Sequence, residues 1–334
     1  MKITPFGKTP DGKEVMLYTL CDKDLTVDIM TYGASVNRMS AFATSIVGGH
    51  DTLAPYIGNG TCHGASIGRV ANRIEGASFV IDGVTYKVSS NEGRNTLHGG
   101  MAFNHSVWDV VEYDGRKIVL SRFSPDGECG FPGNMTVTVK YELSDNALNI
   151  EYKAISDKKT PIAMTNHSYF NLDGFGGTVD NHYIEIFADS YTEVDEELIP
   201  TGNHPDVTGT EYDFRERRKI GEYFDKGISG YDHNFVVTPK KQETFLGEPL
   251  NLLAVADNGR LRLSAYANQT NVQFYTGNFL EGENDLHGGI KAVRHGAFCL
   301  EAQTEPNAVK RGLCIYEAGV PYTAKIAYKL EKLG

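Results

Sequence analysis

No stretch of the chain is apolar for long enough to cross a membrane as a helix, which takes about 20 residues. The first residues, Met1 to Gly7, run straight into the polar segment Lys8 to Glu14. No apolar signal segment is read there, and the cytoplasm is the expected compartment. Positive charge is in deficit: 32 Lys and Arg stand against 43 Asp and Glu, a formal net charge of −11. Nucleic acids and anionic membrane surfaces are held by clustered cations, so neither is an expected partner. Cysteine is sparse and unpaired in pattern. The five residues Cys21, Cys62, Cys129, Cys299 and Cys314 are odd in number and form no Cys-x-x-Cys, which fits reduced thiols and not a disulfide framework or a zinc ribbon. The early glycines, at 33, 48, 49, 58 and 60, do not make a Gly-x-Gly-x-x-Gly phosphate cradle, and no nucleotide cofactor is expected.

Helical periodicity is also scarce. Lys219 to Phe224 and Thr52 to Ile57 could each hold a turn or two, but strand and helix patterns do not alternate. Nor does any period of 20 to 50 residues repeat, which disfavours propellers and solenoids. What recurs is apolar/polar alternation with period two, as in Leu25 to Ile29, Thr136 to Tyr141, Leu148 to Tyr152 and Arg260 to Tyr266. Phe79-Val80-Ile81, then Asp82-Gly83, then Val84 to Val88 carries the two-residue turn of an antiparallel hairpin. With no linker or shift of composition, residues 1–334 read as a single all-β domain, a large antiparallel β-sandwich or barrel whose loops carry the chemistry.

Several constellations compete for that chemistry. Gly64-Ala65-Ser66-Ile67-Gly68 matches the Gly-x-Ser-x-Gly elbow, but the segment to Gly76 is too short for the helix that motif needs. His98, in Asn95-Thr96-Leu97-His98-Gly99-Gly100, and His167, in Thr165-Asn166-His167-Ser168-Tyr169, sit in loop or strand-end settings unlike those of core histidines. Glu301 is a carboxylate in the otherwise apolar strand Phe298-Cys299-Leu300-Glu301-Ala302-Gln303, where an unpaired charge costs several kcal/mol. Two histidines and a carboxylate suit either a metal or an acid/base pair. Neither His-x-His nor His-Glu-x-x-His is present, which weighs against the metal. Asp232 and Gln273 add hydrogen-bonding groups suited to sugar hydroxyls, with Trp108 and the tyrosines available as stacking faces.

These segments resemble the aldose 1-epimerase (galactose mutarotase) family along nearly the whole chain. The motifs are GASIGRVANRI (64–74), NTLHGG (95–100), SPDGECGFPGN (124–134), TNHSYFNLDG (165–174), LIPTG (198–202), YDHNF (231–235), VQFYTGNFL (272–280) and FCLEAQ (298–303), in the family's order. The resemblance implies a galactose mutarotase-like supersandwich, no cofactor or metal, and a monosaccharide substrate such as galactose or glucose in an open cleft. It implies that Glu301 is the general base, His167 the general acid and His98 a second histidine beside the sugar. It further implies that Asn72, Arg73, Asp232 and Gln273 bind hydroxyls or brace the catalytic groups. The family's usual Leu-Glu-Thr-Gln is Leu300-Glu301-Ala302-Gln303 here, and a commonly acidic position is Cys129. A non-catalytic sugar-binding protein of this fold, or an epimerase for another sugar or a sugar phosphate, is the alternative; a monomer or homodimer is expected.

Overall fold

A computed structural model describes residues 2–334. Period-two alternation is clearest where one face of a strand is buried and the other is wet, while Asn271–Tyr275 and Cys299–Gln303 are buried on both faces. The strand Met135–Ser144 alternates buried and outward residues along its whole length, with Met135, Val137, Val139, Tyr141 and Leu143 inward. Among the described residues no α-helix forms. The helical segments are short 3₁₀ turns, including Ala54–Tyr56 and Ile220–Lys226, where the sequence allowed a turn or two. The expected hairpin forms between Ser78–Ile81 and Val84–Lys87, with Asp82 (φ 50°) and Gly83 (φ 80°) making the left-handed corner.

Three sheets make two layers. One layer is a ten-stranded antiparallel sheet whose centre is the run Met135–Ser144, Ala147–Ser156, Tyr322–Lys332, Leu261–Ala267 and Glu248–Asp257. The other consists of a five-stranded sheet from residues 2–47 and a four-stranded sheet of Ala188–Tyr191, Asp232–Val237, Asn271–Tyr275 and Cys299–Gln303. Phe170 joins these two, bridging Val47 on one side and Phe298 on the other. A single apolar core fills the space between the layers, drawing Val27 and Val36 from the first sheet, Val139 and Ile326 from the ten-stranded one, and Phe274 and Leu300 from the four-stranded one. The all-β antiparallel sandwich read from the sequence is what forms.

Trp108 departs from the reading as a stacking face for sugar. It is 1% exposed, packs edge-on against Phe103 and donates its indole N–H to the Phe103 carbonyl. Its large apolar area is spent in the core. All five cysteines are free thiols.

Candidate active site

Strand register sets the first half of the site. Asn234, Gln273 and Glu301 lie opposite one another across three neighbouring strands, as do Asp232, Tyr275 and Cys299. Alternation then puts Cys299, Glu301 and Gln303 on one face, while Leu300 and Ala302 turn into the core. The Gln273 amide N–H donates to Asp232 Oδ1 at 2.7 Å, and its Oε1 accepts from Asn72 at 3.2 Å and from Gln303 at 3.2 Å. Gln303 also donates to Asn234, which donates in turn to Thr192 and Asn271. A chain of amides thus floors the site and fixes which end of Gln273 faces Asp232.

Loops supply the second half. Asn72 (φ 61°) and His98 (φ 51°) both occupy the left-handed region, uncommon for residues with a side chain. They hold each other there: the His98 N–H donates to the Asn72 carbonyl at 3.0 Å, and the Asn72 N–H donates to His98 Nδ1 at 3.1 Å. Gly99 (φ 65°) lies so close beneath that a Cβ would sit 2.3 Å from the Gly68 carbonyl oxygen. Arg73 is clamped by both Glu92 oxygens, at 2.7 and 2.9 Å. His167 follows the short strand Thr165–Asn166, and its backbone is tied to Ala65 and Gly64.

These halves face each other across one open cleft of about 270 Å³. All seven residues singled out from the sequence line it: Asn72, Arg73, His98, His167, Asp232, Gln273 and Glu301. Sequence reasoning missed Glu92, Tyr275, Phe279 and Glu283, which share the lining. Tyr275 was within reach, since it alternates with Gln273 on one strand face; Glu92 sits in a loop with no periodic signal. Tyr169 forms a wall, its ring 5.0 Å from that of His167. Of the two departures from the family pattern, Ala302 points into the core and Cys129 lies behind the His98 loop, its thiol 3.6 Å from the Gly100 carbonyl oxygen. Arg69, the other guanidinium of that segment, is fully buried and bonds the carbonyls of Ser124, Pro132 and Gly133, away from the cleft.

At the cleft floor His167 Nε2 and Glu301 Oε1 are 3.7 Å apart, beyond direct hydrogen-bond length. Glu301 Oε2 is buried with no partner among the described residues. Burial, with Asp232 nearby, pushes the Glu301 carboxyl well above its usual range, against the opposing pull of Arg73. Burial lowers His167 to about 4, its own backbone carbonyl working the other way. His98 is pushed well below its usual value by burial, then by His167 and Arg73. Both members of the facing pair are thus driven toward neutrality, a state with one proton between them.

His98, His167 and Glu301 each bring a ligand atom within 4.8 Å of the others, a spacing a metal ion could span. Nδ1 of His98 accepts from the Asn72 N–H, which puts the ring proton on Nε2. Neither nitrogen then offers a free lone pair to an ion, and the donor set does not fit a three-ligand metal site.

A model of the aldose 1-epimerase family matches residues 16–329. Galactose mutarotase of Bos taurus is 38% identical over 315 residues, covering 92% of this chain and 90% of the relative. Aldose 1-epimerase of Escherichia coli (strain K12) is 37% identical over 286 residues, 82% of each chain. Among solved structures, a galactose 1-epimerase from Lactobacillus acidophilus superposes with a TM-score of 0.88 at 24% identity, covering 100% of this chain and 99% of that one. An aldose epimerase homologue from C. elegans does so at 0.86 and 25%, covering 95% and 99%.

Proposed function

The chain belongs to the aldose 1-epimerase family and is an isomerase that interconverts the α and β anomers of aldoses, and from this premise we propose that Glu301 and His167 carry its two proton transfers. The observation behind this reading is their separation: 3.7 Å between Oε1 and Nε2 suits two groups that address the two oxygens of one anomeric carbon. Glu301 takes the proton of the anomeric hydroxyl while His167 protonates the ring oxygen, and the ring opens. The C1–C2 bond then turns, and reclosure on the other face reverses both transfers.

The directions of the two pKa shifts fit a cycle of this kind. Opening requires carboxylate and imidazolium; the opened state has carboxylic acid and neutral imidazole. Burial favours the second pair, so it stabilises the enzyme as it stands around the open-chain sugar. The first pair is favoured by a bound ring whose hydroxyl donates to Glu301 and whose ring oxygen accepts from His167, with Arg73 adding positive charge. One proton shared by the pair serves the whole turnover, so no cofactor enters.

His98 presents a fixed Nε2–H to the sugar, while Arg73, Asn72, Asp232 and Gln273 meet its other hydroxyls. Galactose and glucose are the proposed substrates. Even with Glu301 and Asp232 set aside as groups that burial pushes toward neutrality, Glu92 and Glu283 in the lining face the one guanidinium of Arg73, which Glu92 already pairs, and this favours a neutral sugar over a phosphorylated one. A purely binding protein would have no use for a buried carboxylate oxygen without a partner, which costs stability. The chain is read as one functional unit, since one apolar core runs from Leu20 to Leu330; the cytoplasm is its proposed compartment, on the polar run that follows Gly7. Its cleft is lined from one chain, so the reading holds for a monomer or a homodimer.

Optical rotation of freshly dissolved α-D-galactose and α-D-glucose tests this, with the wild type and Glu301→Gln side by side. Acceleration by the wild type and its loss in the variant are expected. Equal rates for the two proteins would remove Glu301 from the mechanism.

A further inference from the structure

One strand face addresses both nitrogens of the His167 ring. Glu301 Oε1 lies 3.7 Å from Nε2, and Cys299, two residues earlier on the same face, places its sulfur 3.7 Å from Nδ1. Cys299 is fully buried and packs with Tyr169 and Tyr275, the aromatic walls around the ring. We infer that Cys299 is a positioning residue: its sulfur accepts the Nδ1–H of His167 and so leaves Nε2 as the nitrogen that gives and regains the proton.

The two histidines of the cleft show why the Nδ1 partner matters. In His98 a backbone N–H points at Nδ1, which forces the proton onto Nε2 and makes that ring a fixed donor. The one lone pair of such an imidazole is engaged by the backbone N–H and is not available to take a proton back. Among the described residues no backbone N–H is aimed at His167 Nδ1. It meets a thiol sulfur, which can accept. With Nδ1–H retained throughout, loss of the Nε2 proton to the ring oxygen leaves a lone pair facing the substrate, ready to recover it. Burial pushes the Cys299 thiol well above its ordinary value, so the partner stays neutral and does not act as a nucleophile.

This role rests on the assignment of His167 as the acid, and the test separates the two. Nitrogen NMR of histidine-labelled protein, with the His167 signals identified by their loss in His167→Asn, reads the ring proton directly. Wild type is expected to carry it on Nδ1 at neutral pH. Cys299→Ala is expected to move part of the population to Nε2–H and to lower kcat roughly fivefold at unchanged KM. Cys299→Ser, whose hydroxyl also accepts, is expected to restore both. A wild-type ring protonated on Nε2, or a Cys299→Ala enzyme with unchanged tautomer and kcat, overturns the role of Cys299, and the wild-type spectrum decides even if the alanine variant does not fold. A tautomer that shifts while kcat stays constant would instead leave Cys299 in place and remove His167 as the acid.

Discussion

The cleft has a strand half and a loop half, and they are held by different means. Asp232, Gln273 and Glu301 are spaced by backbone ladders whose other face is part of the main core, through Phe235, Val272, Phe274 and Leu300. Each of these positions is fixed by many contacts at once. Asn72, Arg73 and His98 depend on a few: two reciprocal hydrogen bonds between left-handed residues, one glycine with no room for a Cβ, and one bidentate carboxylate. Such conformations cost of order 1–3 kcal/mol each and persist only where neighbours over-determine them. The strand half should therefore tolerate change near it, while the loop half should fail at single points.

The largest effect should separate the two histidines. His167→Asn is expected to lower kcat by roughly 10²- to 10⁴-fold, the usual contribution of a positioned acid. His98→Asn, which removes a fixed donor and not the proton carrier, should lower kcat/KM about tenfold. Polarimetric rates for both decide it; equal losses would erase the distinction drawn from their Nδ1 partners. Next comes the fragility of the loop half. Gly99→Ala forces a Cβ to 2.3 Å from the Gly68 carbonyl oxygen at a φ of 65°. A loss of about 2 kcal/mol of stability is expected, with a raised KM as His98 shifts. Denaturant titration and sugar saturation curves report the two parts, and a variant with unchanged midpoint would show that the loop has slack.

Stability against pH sharpens the contrast, because the halves should respond with opposite sign. Burial, joined by the neighbouring His50 and His167 rings, holds His63, on the same loop side, at about 3, and burial holds His167 at about 4. Free histidine titrates near 6.5. A lowered folded value means that their contribution is present above about 6.5 and is lost as pH falls through that range toward 4 and 3. Glu301 and Asp232 are raised, chiefly by burial, so their contribution is present below about 4 and is lost as pH rises through the folded values. Thermal melts should show His63→Gln flattening the acid decline, and Glu301→Gln gaining stability near neutrality while losing activity. A Glu301→Gln protein less stable than wild type at pH 7 would mean that the carboxylate is better solvated than its burial indicates.

The same division governs what could be read before the structure. Strand signals such as Thr136 to Tyr141 and the Asp82-Gly83 corner were legible because period two and turn chemistry are local, and they gave the all-β class. Two sheets sharing a layer through Phe170 were not, since that junction is two isolated bridges between residues more than 120 positions apart. His98, His167, Glu301, Asp232 and Gln273 stood out by residue type and setting, whereas Asn72 and Arg73 came from motif resemblance alone, and the convergence of the loop side has no periodic signature: Asn and His favour a left-handed backbone only as types, and nothing local marks Asn72 and His98 as a hydrogen-bonded pair. Trp108 was misjudged because an aromatic residue suits a core and a sugar equally well on composition, and only burial separates the two uses.

The smallest expected effect concerns Ala302, where the family usually has threonine. Strand alternation places its side chain away from Glu301, 1% exposed among Val272 and Leu300, while its carbonyl accepts from the Thr165 hydroxyl at 2.6 Å. Ala302→Thr would add two heavy atoms, a methyl carbon and a hydroxyl oxygen, to a packed layer. A cost of about 1 kcal/mol, within the range for overpacking, is expected in a denaturant titration. Turnover should stay within about twofold of wild type, because the ladder that positions Glu301 is backbone and is unaltered by what hangs on its core side. Should kcat change much more than that, the strand half would be as sensitive to its neighbours as the loop half, and the contrast between a distributed and a point-held half of the cleft would have to be given up.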